Sequence, residues 1–161
     1  MRRSAVLVAG VLLLVGPALV AGALSRSELD RVIDFSVTLK SLAVAAQDGG
    51  AVPQGRVVLL SGTVSDVNVV NKDPADFRVR LELITGEWVG LEDVKSYTCY
   101  VDFAGSEYAR LIPARPPRVA NRDLVTLNSR VIVIGRVVGV TSTALGGRQA
   151  LVDGAFIRPI E

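Results

Sequence analysis

The side chains best placed for chemistry are Arg78, Arg80 and Glu82, which alternate with Val79, Leu81 and Leu83, and Thr98, Tyr100 and Asp102, which alternate with Cys99, Val101 and Phe103. A strand turns successive side chains to opposite faces, so each run separates a polar face from an apolar one. A ring beside two guanidiniums can stack a base or a sugar while the cations neutralise a phosphate, which is the chemistry of single-stranded nucleic-acid sites. Glu82 and Asp102 share that face, and cross-strand ion pairs are also an ordinary way to solvate a sheet. The single tryptophan, Trp88, falls in Gly86-Glu87-Trp88-Val89-Gly90, which reads as a loop between the two runs. There it would act as a binding hot spot or cover an open end of the fold.

A second cationic feature is Arg110, Arg115, Arg118, Arg122, Arg130 and Arg136, opposed over those 27 residues only by Asp123. Such a cluster attracts polyanions, whether nucleic acid, anionic lipid headgroups or acidic polysaccharide, and it serves equally as solubilising surface. Arg78, Arg80, Tyr100, Trp88 and Arg136 are the candidate ligand contacts.

Catalytic chemistry has little to work with. The chain has no histidine and one cysteine, which removes the usual general base, the histidine-activated nucleophiles and the common zinc ligands. Asp73 and Asp76 share a segment whose spacing matches no calcium loop and reads as a solvated turn. Glu92 and Asp93 are adjacent and would diverge on a strand. Gly146-Gly147 lacks the Lys-Ser/Thr of a phosphate-cradling loop and reads as a hairpin turn. Cys99, on the apolar side with Tyr97, Val101 and Phe103, reads as a small buried hydrophobe. No catalytic residue, metal or cofactor is expected.

The elements that must position these residues begin after an export signal. Met1-Arg2-Arg3 is basic, residues 5–15 are apolar and uncharged, Pro17 breaks the run, and Ala21-Gly22-Ala23 has the form of a cleavage site. Cleavage after Ala23 gives a periplasmic or extracellular protein. The alternative is an uncleaved inner-membrane anchor over residues 5–24, which carry no charge and have the length a bilayer span requires. Residues 1–23 are thus the signal or anchor, 24–55 a helix and linker, and 56–161 the main domain. Ser25-Arg26-Ser27-Glu28 has the spacing of a capping box, and Leu29, Val32, Ile33, Leu39, Leu42 and Ala46 form one ragged stripe ending before Asp48-Gly49-Gly50. Two of the 18 basic residues are Arg2 and Arg3; without them 16 basic side chains face 16 acidic ones. A global electrostatic case for nucleic acid therefore fails.

From residue 56 the periodicity is that of strands: 56–70, 77–85, 96–103, 130–142 and 149–157. Ser106 reads as the cap of a short helix ended by Pro113. The first and fourth strands resemble each other, Val58-Leu59-Leu60-Ser61-Gly62-Thr63-Val64 against Val131-Ile132-Val133-Ile134-Gly135-Arg136-Val137, each with a central glycine suited to a bend. The order β-β-β-α-β-β with a bent first strand predicts a mainly β fold, a five-stranded OB barrel, with a sandwich as the alternative.

Gly62-Thr63-Val64-Ser65-Asp66-Val67, Tyr97-Thr98-Cys99-Tyr100-Val101, the stretch from Val131 to Val137, and Leu151-Val152-Asp153-Gly154 resemble the tRNA_anti-like family of exported bacterial OB-fold proteins. The likeness covers residues 56–157 and rests on fold-bearing glycines and hydrophobics. It implies a barrel and says nothing of tRNA binding. The chain departs from the pattern between Pro113 and Asn128, where Arg115-Pro116-Pro117-Arg118 interrupts the approach to the fourth strand. The expectation is an exported, non-catalytic binding module for a polyanion such as single-stranded nucleic acid, an acidic glycan or an anionic headgroup. The alternative is a structural or protein-interaction component of the cell envelope, with membrane contact only if the N-terminal segment is retained.

Overall fold

A computed structural model describes residues 26–90, 93–115, 117–119, 121–143 and 145–160. The signal or anchor at 1–23, the capping serine Ser25 and Glu92 lie outside the described residues. The chain runs α1 (Arg26–Val32), β1 (Ile33–Asp34), α2 (Leu39–Gln47), β2 (Val57–Asn71), a 3-10 turn (Pro74–Asp76), β3 (Arg78–Val89), β4 (Asp93–Ala104), α3 (Ser106–Leu111), β5 (Arg130–Ser142) and β6 (Arg148–Pro159).

The strands are ordered β1-β2-β3-β4-β6-β5, and a further pairing of β2 with β5 closes the last five into a barrel. β4 and β6 run parallel, and the other barrel pairs are antiparallel. This is the OB fold anticipated from the strand order.

Closure depends on β2 serving two partners. Val57 to Thr63 pair with β5, and Thr63 to Asn71 pair with β3. The change falls at Thr63, with a register shift between Val64 and Asp66 immediately after it. Gly62 sits at that pivot, where a Cβ would lie 3.0 Å from Leu39 Cδ1 and 3.2 Å from the Ile84 carbonyl oxygen. Its counterpart Gly135 is packed harder, since a Cβ there would lie 2.6 Å from the Asp153 carbonyl oxygen. The resemblance between the two stretches is thus that of two long bent strands of one barrel, paired with each other.

Two helices close the interior. α2 is capped by Thr38, whose side chain accepts from the Ser41 N–H while Ser41 Oγ accepts from the Thr38 N–H. It buries Leu39, Leu42, Ala43 and Ala46 against the barrel core. α3 sends Tyr108 inward, its ring 4.8 Å from that of Phe103 and its hydroxyl donating to the Ala155 carbonyl at 2.9 Å. The segment after α3 joins the barrel by buried Ile112 and Val125, and Asn128 and Ser129 bond Val64 on β2.

Three local expectations are corrected. The single N-terminal helix is two, because the chain between them extends into β1, which pairs in parallel with Val57 and Val58 on the edge of β2 that β3 has left. Backbone groups there gain partners that a continuous helix would deny them. Ser106 is the first helical residue; Gly105 holds the cap position with no side-chain bond. Trp88 belongs to β3.

Candidate functional site

β3 and β4 form a hairpin longer than the barrel wall. β3 pairs with β2 only as far as Ile84, while its pairing with β4 continues through Val89 opposite Asp93. The last residues make a two-stranded ribbon, turned at Gly90 (φ 73°). The extension follows from strand-forming Thr85, Trp88, Val89, Val94 and Tyr97, whose preferences outweigh the turn signal of Gly86.

Period-two alternation brings Arg78, Arg80, Glu82, Ile84, Gly86 and Trp88 to one outward face, opposite Ala104, Asp102, Tyr100, Thr98, Ser96 and Val94 respectively. β2 widens the face with Asp66 opposite Glu82 and Asn68 opposite Arg80. Arg78, Arg80, Tyr100 and Trp88 therefore share a single strip. Trp88 lies six residues beyond Glu82, about 20 Å along the strand from the level of Tyr100.

At the barrel end of the strip, Arg80 bonds Asp102 through Nε–Oδ1 at 2.6 Å and Nη2–Oδ2 at 2.7 Å. The same guanidinium lies 5.3 Å from the Tyr100 ring centroid, within cation–π range. The hydrogen bond to Asp102 holds the Arg80 pKa above its ordinary value against the opposing effect of burial. Burial first, then the Glu82 carboxylate, raises that of Tyr100. Arg78 reaches Asp76 Oδ1 through Nε and Nη2, both at 3.2 Å. Both arginines are thus matched by carboxylates, while Glu82 and Asp66 add further negative charge.

At the ribbon end Trp88 is 71% exposed and its cross-strand neighbour Val94 52%. The opposite face of the ribbon is tied to α2. Lys40 Nζ meets Glu87 Oε2 at 2.5 Å, the Tyr97 hydroxyl donates to the same oxygen at 3.2 Å, and Lys40 and Lys95 both lie over the Tyr97 ring. The Lys40 hydrogen bond, then that from Tyr97, lowers the Glu87 pKa.

Arg136 does not join this group. It lies opposite Asp153 on β6, which lies opposite Asp102 on β4, so it stands three strands from Arg80, about 14 Å across the wall. Its Nη1 donates to the Gly55 carbonyl at 2.8 Å. Asn68 and Asp66 escaped the sequence reading, because the register shift after Val64 reverses the alternation of β2 and alone brings them beside Arg80 and Glu82.

The remaining chemical candidates are occupied by structure. Asp73 accepts from the Ala75 N–H at the 3-10 turn, and Asp76 is held by Arg78 and Asn71. Gly147 and Thr143 bond each other in the hairpin turn between β5 and β6. Cys99 is fully buried, and desolvation pushes its thiol up to about 12. Among the described residues no group of three or more ligating side chains could hold a metal ion, and no helix is long and apolar enough to cross a membrane.

No family model matches the chain, and no curated protein does. Among solved structures it is similar to the N-terminal domain of PriB from Thermoanaerobacter tencongensis, at 13% identity over 65% of this chain and 96% of that one, with a TM-score of 0.39. A Plasmodium falciparum SSB in complex with ssDNA is similar at 14% identity, 65% and 94% coverage, and a TM-score of 0.42. A small single-stranded DNA-binding protein from Streptomyces coelicolor gives 14%, 68% and 96%, and 0.39. Likeness at this level carries nothing about the ligand of this chain.

Proposed function

We propose that this protein is a non-catalytic binding module that holds an extended glycan strand along the outward face of β3 and β4. The observation that carries the reading is Arg80, fixed by two bonds to Asp102 over the Tyr100 ring, on the same strip as the exposed Trp88. Two aromatic faces about 20 Å apart suit a chain of rings better than a compact ligand. The polar groups between and beside them, Asn68, Asp66, Glu82, Thr98 and Ser96, can exchange hydrogen bonds with hydroxyls.

The charge on the strip favours sugar over phosphate. Arg78 and Arg80 are neutralised by Asp76 and Asp102, and Glu82 and Asp66 would repel a phosphate backbone. Reading residues 1–23 as an export signal fits a ligand met outside the cytoplasm, such as a glycan. A second reading, polyanion contact, is favoured by Arg110, Arg115, Arg118 and Arg130, which are exposed and make no ion pair among the described residues.

Titration of Trp88 fluorescence with soluble glycan oligomers and with single-stranded oligonucleotides, each at low and high salt, separates the two. The expected result is a glycan response that salt leaves unchanged and that Tyr100→Ala removes. A salt-sensitive oligonucleotide response lost in Arg115→Ala with Arg118→Ala selects the polyanion reading. Silence toward both classes, with one protein recovered by crosslinking, overturns both in favour of a structural envelope role.

A further inference from the structure

The barrel has a second unusual surface, on the wall away from the β3–β4 strip. Leu59 on β2 lies opposite Ile134 on β5, and Ile134 opposite Phe156 on β6. Their chain neighbours Val58, Leu60, Val133 and Ile157 point into the core, so these three face outward. Phe35, just after β1, extends the row by lining one cleft with Leu59, and Ile132 broadens it beside Ile134. Phe35 is 49% exposed and Phe156 47%. Across three strands and the turn that follows β1 this makes an apolar block about 15 Å wide where a solvated barrel wall would alternate polar groups.

Arginines stand at both margins. A cleft of about 620 Å³ beside Phe35 is lined by Arg31, Arg56 and Arg136, with Asp30 and Asp34. One of about 760 Å³ beside Phe156 is lined by Arg122 and Arg158, with Asp123. Arg56 is paired with Asp34; five guanidiniums against three carboxylates still leave an excess of positive charge around the apolar block. α1 enters the first cleft through Asp30, Arg31 and Val32, and it begins two residues after the uncharged run 5–24, whose length suffices to span a bilayer.

We infer that this wall lies against an anionic phospholipid bilayer, with Phe35, Leu59, Ile132, Ile134 and Phe156 at the acyl boundary and the marginal arginines on headgroup phosphates. An aromatic and aliphatic plane rimmed by long cationic side chains is the form of an interfacial surface. Both clefts are wide and open, which suits a surface better than one anchoring side chain of a peptide. A second copy of the chain would bring two arginine-rich rims together. With this wall on the bilayer, the β3–β4 strip faces away from it.

The test uses full-length chain in vesicles of equal parts phosphatidylglycerol and phosphatidylcholine with brominated acyl chains. Single-tryptophan reporters Phe35→Trp and Phe156→Trp are made separately in a Trp88→Phe background, and wild type, with only Trp88, is the internal reference. The expected result is several-fold stronger quenching at both reporters than at Trp88, reduced several-fold in Arg136→Ala with Arg158→Ala or in phosphatidylcholine alone. Two reporters, each checked by circular dichroism, guard against one misfolded variant. Quenching at positions 35 and 156 no greater than at Trp88 in vesicle-bound protein overturns the inference. So does concentration-dependent shielding of both reporters without vesicles, which would show a second copy on this wall.

Discussion

Arg80 and Asp102 face each other across β3 and β4 and are joined at two points, Nε to Oδ1 and Nη2 to Oδ2. The pair is one third exposed on the arginine side and 40% on the aspartate side, so it contributes little to folding and much to orientation. A guanidinium held in a fork cannot also offer its full charge to a ligand phosphate. The relationship thus cancels the charge of Arg80 and, with Glu82 and Asp66 on the same face, leaves a cationic-looking strand as part of a stacking surface without net positive charge.

Replacing the acid without changing its shape tests that consequence. In Asp102→Asn the carboxylate that pairs with Arg80 is gone, and the guanidinium regains its charge for external ligands. We expect a stability loss of no more than about 1 kcal/mol by urea unfolding, together with tighter, salt-sensitive binding of single-stranded oligonucleotides and weaker glycan binding. Unchanged oligonucleotide affinity would show that Arg80 has no part in ligand contact.

The two central glycines are predicted to differ. At Gly62 the nearest obstacle to a Cβ is the end of the Leu39 side chain, which can move; at Gly135 it is the Asp153 backbone oxygen at 2.6 Å, which cannot without moving β6. Gly62→Ala should cost about 1 kcal/mol and Gly135→Ala about 3 kcal/mol or more, the upper part of the range for forced overpacking. Urea midpoints in the reverse order would contradict the closure geometry.

Most of the fold was legible because its signals are local. Strand β5 was bounded correctly by its own alternation, and Gly62 and Gly135 announced bends that the pairing of β2 with β5 then required. The N-terminal helix was misread because its break answers a distant demand: the edge of β2 at Val57 and Val58 needs a partner, and nothing near Ile33 says so. The site divides in the same way. Arg78, Arg80 and Tyr100 fell on one face by alternation, whereas the neutralisation of Arg80 depended on which cross-strand residue stood opposite it. Trp88 was placed in a loop because Gly86 and Gly90 bracket it; only Gly90 turns the chain. The apolar wall at Phe35 and Phe156 was invisible, since it assembles residues from three strands and the turn after β1, each with an ordinary pattern.

Cys99 should behave as a structural hydrophobe. Its thiol pKa is pushed up to about 12 by burial, with Glu82 a lesser cause. A pKa raised in the folded state gives stability that is complete below the ordinary thiol pKa and is lost as pH rises through the folded value. Stability should therefore decline between about pH 9 and 12, and Cys99→Ala should flatten that part of the profile. Native protein should resist a maleimide that labels it fully in urea. Prompt labelling without denaturant would mean that β4 opens locally.

The ribbon carrying Trp88 depends on the contact of Lys40 with Glu87 for its orientation, and the titration of that contact predicts where the orientation is lost. The Lys40 hydrogen bond holds the Glu87 pKa below its ordinary value, so the contribution of this carboxylate is present above the ordinary carboxylate range and disappears as pH falls through the depressed value. The Glu87 hydrogen bond raises the Lys40 pKa, so that contribution is present below the ordinary lysine range and disappears as pH rises through the elevated value. Between these limits α2 pins one face of the ribbon and leaves Trp88 outward. Trp88 fluorescence anisotropy should accordingly be high and flat through neutral pH and fall at both extremes before the barrel itself unfolds. Lys40→Met should lower the plateau at neutral pH and erase the acid step while leaving the β-sheet circular dichroism in place. If anisotropy instead tracks global unfolding at every pH, the ribbon is rigid by its own strand pairing, and the tie to α2 does not set the position of Trp88.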